Sequence, residues 1–288
     1  MLTEVLDALS PRPGGIFIDA TLGDGGHAEA ILEAISPHGR LLGIDRDQTM
    51  LLRAQKRLAH FGDRFLAVHG NFVSIAELAE RHGFTGADGV LFDFGVASYH
   101  FDDPVRGFSF REDAPLDMRL DETQERDAAS IVNHANEAEL ERILREYGEE
   151  PQAARIAREI VHHRPITTTR MFADLISNAK ARRSRSRSRV HPATQSFQAI
   201  RIAVNDELHA IDLALPGAFS VLTTGGVLAT IAYHSLEDRI VKRFFRERAS
   251  QGTLELLWDK PLTSSPEEVT ANPRARSARF RAGRKLFA

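Results

Sequence analysis

A turn reading Thr21-Leu-Gly-Asp-Gly-Gly-His27 follows the short apolar run Gly15-Ile-Phe-Ile-Asp19 and precedes helical spacing from Ala28 to Ile35. Glycines at 23, 25 and 26 let the backbone approach a ligand closely. Asp45, which closes the next apolar run, can accept hydrogen bonds from ribose hydroxyls. The stretch Gly23 to Ala28 also satisfies the loose dinucleotide pattern, which a purely structural turn satisfies equally well. Two acidic residues favour S-adenosylmethionine over a nicotinamide dinucleotide. Asp19 precedes the turn where the ligand's ammonium would lie, and Asp93 ends a further apolar run over the same crevice. A cationic ligand suits carboxylates; the competing use of each aspartate is a helix cap or a turn.

These residues need a scaffold that brings the ends of several strands together. Arg40-Leu-Leu-Gly-Ile-Asp45, Phe65-Leu-Ala-Val68 and Gly89-Val-Leu-Phe-Asp93 are near-continuous apolar runs separated by helical patterns, which predicts a parallel sheet covered on both faces. From Asp102 to about Thr194 strand signals give way to helical stretches at Glu137–Tyr147, Gln152–His162 and Met171–Arg182. Ser196 to Leu215 reads as one long helix stopped by Pro216, and Gly226 to Tyr233 as a strand returning to the sheet. The expected fold class is therefore α/β: a parallel sheet covered by helices and interrupted by a mostly helical insertion. Residues 1–101 and 195–288 would form the discontinuous sheet domain, and 102–194 the helical insertion, a candidate RNA-recognition domain.

The 288 residues are 42% hydrophobic and 27% charged, a globular composition. No run approaches the length of a membrane span and no secretory leader is visible, so the cytoplasm is the expected compartment. Residues 1–150 carry 14 Lys and Arg against 28 Asp and Glu, whereas residues 151–288 carry 23 against 12. A basic C-terminal half favours a polyanionic partner, because clustered cations displace counterions from phosphate. The candidate phosphate contacts are Arg182, Arg183, Arg185, Arg187 and Arg189 in an Arg/Ser run, and Arg274, Arg276, Arg279, Arg281, Arg284 and Lys285 near the C-terminus. The His residues show no metal-ligand spacing, so no metal is expected.

A set of ordered segments makes the reading specific. Asp19 to His27, Gly43-Ile-Asp-Arg-Asp47, Asp93 to Ser98, Arg106-Gly-Phe-Ser-Phe110, Pro115 to Arg119, Tyr147-Gly-Glu-Glu150, His191 to Thr194, Phe197 to Ile202, His234-Ser-Leu-Glu-Asp-Arg239 and Asn272 to Ser277 span nearly the whole chain. In order and spread they resemble the bacterial ribosomal small subunit RNA methyltransferase H family, also called MraW. The resemblance implies a Rossmann-like S-adenosylmethionine-dependent methyltransferase sheet with an inserted helical domain, and transfer of a methyl group from S-adenosylmethionine to the exocyclic N4 of a decoding-centre cytidine in 16S ribosomal RNA, with the small ribosomal subunit as partner, no membrane, and room for a homodimer. It also implies that Gly25, Gly26, His27, Asp45, Phe72 and Asp93 line the cofactor site, Phe72 beside the adenine. His100 would be a further contact, although the family usually has glutamine there. Tyr233 stands where phenylalanine is usual.

No cysteine occurs in the chain, which removes the thiolate on which cytosine C5 methylation depends. N4 methylation instead needs acceptors for the amine hydrogens, a role expected of Asp93, with His234 and Ser235 as alternative contacts and capping as the competing use of His234. Phe108, Phe110 and Tyr233 are candidate stacking faces for an extruded base, though aromatic residues more often serve a core. The other readings are a DNA amino-methyltransferase, a nicotinamide oxidoreductase and a cofactor-binding RNA-binding protein without turnover. The first usually shows a Pro-Pro-aromatic element where this chain has Asp93-Phe-Gly-Val96.

Overall fold

The computed structural model describes residues 1–181 and 191–287. The chain divides into two units, residues 1–95 with the chain from Leu208 onward, and Val96–Glu207. The division falls several residues outside the limits expected from sequence on both sides, and the helix beginning at Thr194 belongs to the second unit.

In the first unit the strands are β1 Ile16–Asp19, β2 Arg40–Asp45, β3 Phe65–His69, β4 Ala87–Asp93, β5 Leu222–Ala232, β6 Leu254–Leu256, β7 Leu262–Thr263 and β8 Arg279–Lys285. They form one sheet in the order β3-β2-β1-β4-β5-β8-β6, with β7 also paired to β8. The first five are mutually parallel, and β8 runs antiparallel to β5. Its order reverses at β1, between β2 and β4, the switch point at which open α/β sheets bind ligands beyond the strands' carboxyl ends. The register places Asp19 opposite Gly43 and Leu91, and Asp93 opposite Ile231.

Helices cover the sheet because its strands are apolar on both faces. In chain order they are α1 Leu2–Leu9, α2 Gly26–Ala34, α3 Gln48–Leu58 and α4 Ile75–His82. One face packs Ile31, Leu32, Leu51 and Leu58 of α2 and α3 against Phe17, Leu41, Leu91 and Phe280; the other packs Ile75, Leu78, Ile211, Leu215 and Phe245 against Ile18, Leu42, Val90 and Phe92. At roughly 25 cal/mol per Å² of apolar area removed from water, this burial is the dominant favourable contribution to folding.

The second unit is helical: α5 Ser98–Asp102, α6 Ala128–His134, α7 Glu137–Gly148, α8 Ala153–His162, α9 Thr169–Ala181 and α10 Thr194–Asn205. Its own core joins Leu140, Ile143 and Leu144 of α7, Ile156 and Ile160 of α8, Phe172 and Ile176 of α9, and Phe197 and Ile200 of α10. Side-chain acceptors start two of these helices: Asp127 takes the Ser130 amide at 2.7 Å and Asn136 the Glu139 amide at 2.8 Å. Buried Asn205 accepts from the Leu120 amide and donates to the Met118 carbonyl, both at 2.8 Å, which ties the preceding loop to α10.

The long helix expected over Ser196–Leu215 is two helices. Asp206 adopts a left-handed conformation (φ 48°) that ends α10, and α11 Glu207–Val221 follows, with Pro216 inside it rather than at its end. The remaining helices are α12 Ser235–Ser250 and α13 Pro266–Ala271.

Candidate active site

Asp19, Asp45 and Asp93, which end β1, β2 and β4, belong to the first unit. After β1 the chain turns through Gly23 (φ 54°) and Gly25 (φ 86°), and α2 begins at Gly26. Gly25 occupies the left-handed region and packs closely as well: a Cβ there would lie 3.0 Å from Leu58 Cδ1. Asp45 holds this turn. Its Oδ2 accepts from the Gly23 amide at 2.7 Å and its Oδ1 from the Asp47 amide at 2.8 Å. Asp47 in turn caps α3, accepting from Thr49 and Met50.

Asp19 is buried, 1% exposed, and accepts from the Thr21 amide at 3.2 Å. Burial, only partly offset by His27 and by that amide, pushes its carboxyl up to about 7. The His27 imidazole lies in the first turn of α2, with Nε2 3.5 Å from Asp93 Oδ2. Burial opposes its charged form, but the Asp93 carboxylate and Asp19 outweigh burial and raise its pKa above the ordinary histidine value. Its Nδ1 is buried with no hydrogen-bond partner among the described residues.

Asp93 ends β4. Its amide donates to the Thr21 hydroxyl at 2.5 Å, which ties the strand end to the glycine turn. Its Oδ1 accepts from the Tyr233 hydroxyl at 2.9 Å. Burial, reinforced by the neighbouring carboxylate, raises the phenol far above its usual range, so it remains a neutral donor at every working pH.

His234 forms the start of α12. Its Nδ1 accepts from the Glu237 amide at 3.3 Å, while buried Glu237 accepts from the amides of Tyr233 and His234 at 2.7 and 3.2 Å. This reciprocal capping box commits the ring to the helix terminus. Ser235 is the first residue of α12.

Phe72 is 9% exposed and meets Phe92 edge-on at 5.6 Å. His100 lies in α5 of the second unit, 3% exposed, its ring 5.2 Å from that of Phe108. Phe108 is part of the second unit's core, and Phe110 packs edge-on against Phe197 at 4.9 Å.

Of the residues expected at phosphate, Arg182, Arg183, Arg185, Arg187 and Arg189 lie outside the described residues. Arg274 is half-buried and Arg276 exposed. Arg279 and Arg281 sit on β8 and both pair with buried Asp238, Arg281 through two contacts at 2.7 and 3.3 Å and Arg279 through one at 3.0 Å. Lys285, also expected at phosphate, is buried and donates to the Leu222 carbonyl at 2.7 Å and the Ser220 carbonyl at 3.4 Å; it is a structural tie between β8 and the junction of α11 with β5. Burial alone would raise the Asp238 carboxyl, but Arg281 and Arg279 hold it below the usual range. Asp238→Asn is therefore expected to cost about 2 kcal/mol at pH 7. A depressed folded-state pKa supplies stability above the unfolded value and loses it on acidification, so the difference between the two proteins in urea titrations should shrink as pH falls below about 4.

Sequence reasoning considered Tyr233 only as a stacking face and missed its pairing with Asp93. The two residues are 140 positions apart, and no local spacing signals the contact.

A glycine turn at a sheet's switch point, ringed by the carboxylates of Asp19, Asp45 and Asp93, defines a nucleoside-binding α/β protein of the Rossmann-like class. The MraW methylase family model matches residues 1–286, and the chain belongs to that family. It is 46% identical to a protein of Trichlorobacter lovleyi over 98% of this chain and 96% of that one, and 49% identical to one of Symbiobacterium thermophilum over 100% and 96%. A Geobacter sulfurreducens protein is 48% identical over 99% and 97%. All three bear the name ribosomal RNA small subunit methyltransferase H. Among solved structures, an rRNA methylase from Streptococcus thermophilus aligns over 98% of this chain and 95% of that chain with a TM-score of 0.47 and 10% identity, a loose likeness that adds nothing to the assignment.

The methyl donor is S-adenosylmethionine. The residues present fit it. Three carboxylates would face a ligand carrying an ammonium and a sulfonium, the turn would allow close backbone approach, and His27 Nδ1, buried with no partner among the described residues, would offer a polar contact.

Proposed function

We propose that this protein methylates the exocyclic N4 of a decoding-centre cytidine in 16S ribosomal RNA, presented by the small subunit. Family membership and relatives named for ribosomal RNA of the small subunit support an rRNA methyltransferase. The observation that carries the N4 reading is the Asp93 carboxylate, anchored by Tyr233 and faced by His27 at the end of β4, in a chain without cysteine.

The bound donor supplies an electrophilic methyl group for a single in-line displacement, so the protein's part is alignment and electrostatic support. The N4 lone pair of cytidine is conjugated with the ring. A carboxylate accepting an N4 hydrogen favours the geometry that frees the pair, and it takes up the surplus proton once the new N–C bond forms. Asp19 meets the donor's cationic end, Asp45 its ribose and Phe72 the adenine edge. Arg274 and Arg276 are proposed phosphate contacts, while Arg279 and Arg281, already neutralised by Asp238, contribute less to RNA affinity.

The test is purified protein with radiolabelled S-adenosylmethionine on small subunits that lack the modification, followed by mass spectrometry of the digested RNA. N4-methylcytidine at one position is the expected product; label elsewhere, or none, refutes the assignment.

A further inference from the structure

We propose that Tyr233 is a positioning residue for methyl transfer: its hydroxyl fixes the rotation of the Asp93 carboxylate so that Oδ2 is the oxygen presented to the acceptor amine. The inference deepens the reading of Asp93 given above and rests on it.

The carboxylate torsion of an aspartate is broad and nearly two-fold, so a single backbone position does not determine which oxygen faces the substrate. Two groups meet this carboxylate from different elements. Tyr233, at the end of β5, donates to Oδ1 at 2.9 Å, a normal hydrogen bond. His27, from α2, stands 3.5 Å from Oδ2, an ion-pair distance longer than a hydrogen bond. Oδ1 is thus held, while Oδ2 is drawn electrostatically toward one side and keeps its capacity as an acceptor. The phenol itself is held in place. Gly95, with φ at +92°, turns the chain after β4 so that the ring lies directly over it; a Cβ there would be 3.3 Å from Tyr233 Cδ2. From the other side, the Tyr233 amide donates to the Glu237 carboxylate at 2.7 Å, so the α12 capping box fixes the backbone that carries the ring. A phenol is well suited to this task because it cannot exchange its donor role for that of an acceptor with pH, as the imidazole can.

The test is Tyr233→Phe, which keeps the ring and removes only the donor. The single-turnover rate of methyl transfer is expected to fall about tenfold, while the dissociation constants for S-adenosylmethionine and for the small subunit stay within twofold and the melting temperature falls by only a few degrees. In an Asp93→Ala background the same substitution should alter the residual rate by less than twofold, since there is no carboxylate left to position. A wild-type rate for Tyr233→Phe, or a loss that appears in binding or melting instead of in the rate, overturns the proposal while leaving the role of Asp93 standing. Near-normal turnover by Asp93→Ala alone overturns that role and the positioning proposal with it.

Discussion

Asp93→Ala should lower the single-turnover rate of methyl transfer about a thousandfold, within the range expected when a positioned acid–base group is removed, and change affinity for the small subunit less than threefold. The two quantities separate because the carboxylate is expected to interact with one amine of one nucleotide, whereas RNA affinity comes mostly from cations spread over many phosphates. Asp93→Asn is a finer probe. Its single amide oxygen can accept from Tyr233 or from an N4 hydrogen at the Oδ2 position, not both, and it cannot carry away a proton. A rate for asparagine much nearer wild type would make amine orientation the larger part; a rate close to that of alanine is expected where proton removal and both carboxylate oxygens are needed. Truncation also leaves the Tyr233 hydroxyl without the acceptor it has at 2.9 Å, which is expected to cost about 1–3 kcal/mol of stability. Melting curves therefore accompany the kinetics, and near-normal turnover by a folded Asp93→Ala protein would remove the residue from the mechanism.

The strands that carry the site were legible because their signal is local. Ile16–Asp19, Arg40–Asp45 and Ala87–Asp93 are apolar runs ending in aspartate, and buried parallel strands require that pattern. The antiparallel strand Arg279–Lys285 was not. It reads Arg-Phe-Arg-Ala-Gly-Arg-Lys, and its basic residues resemble an RNA-binding tail until the structure shows Asp238 neutralising two of them and backbone carbonyls receiving Lys285. The break between α10 and α11 depends on one left-handed aspartate, a conformation that helical periodicity cannot reveal. The cofactor turn was read from its glycines. That Asp45 shapes this turn through two backbone amides, and that the ring of His234 belongs to a capping box, depends on hydrogen-bond partners whose identity no spacing rule gives. The pairing of Tyr233 with Asp93 depends on strand order: β4 and β5 are neighbours in the sheet although the whole helical unit separates them in sequence.

Asp19 supplies the second large effect, and its sign follows from burial. With a carboxyl raised to about 7, mainly because it is buried, this residue is partly protonated near neutrality in the unliganded protein. A cationic donor favours the ionised form, so binding expels the proton, and affinity for S-adenosylmethionine should be about tenfold weaker at pH 6 than at pH 8. Titration calorimetry in buffers of different ionisation enthalpy would register the released proton. His27, Asp93 and Asp45 face the same charge, and His27 losing its proton would act in the same direction. Asp19→Asn separates the two, because it should bind the donor more weakly at pH 8 and show little slope between pH 6 and 8. A slope unchanged in Asp19→Asn would transfer the pH dependence to His27. The same burial sets the effect on folding. A carboxyl whose folded pKa lies above its unfolded value loses stability as pH rises from about 4 to about 7, so without donor Asp19→Asn should melt higher than wild type at pH 8. Saturating donor should narrow or reverse that difference, because ligand stabilisation grows with affinity and the variant has lost its counter-charge.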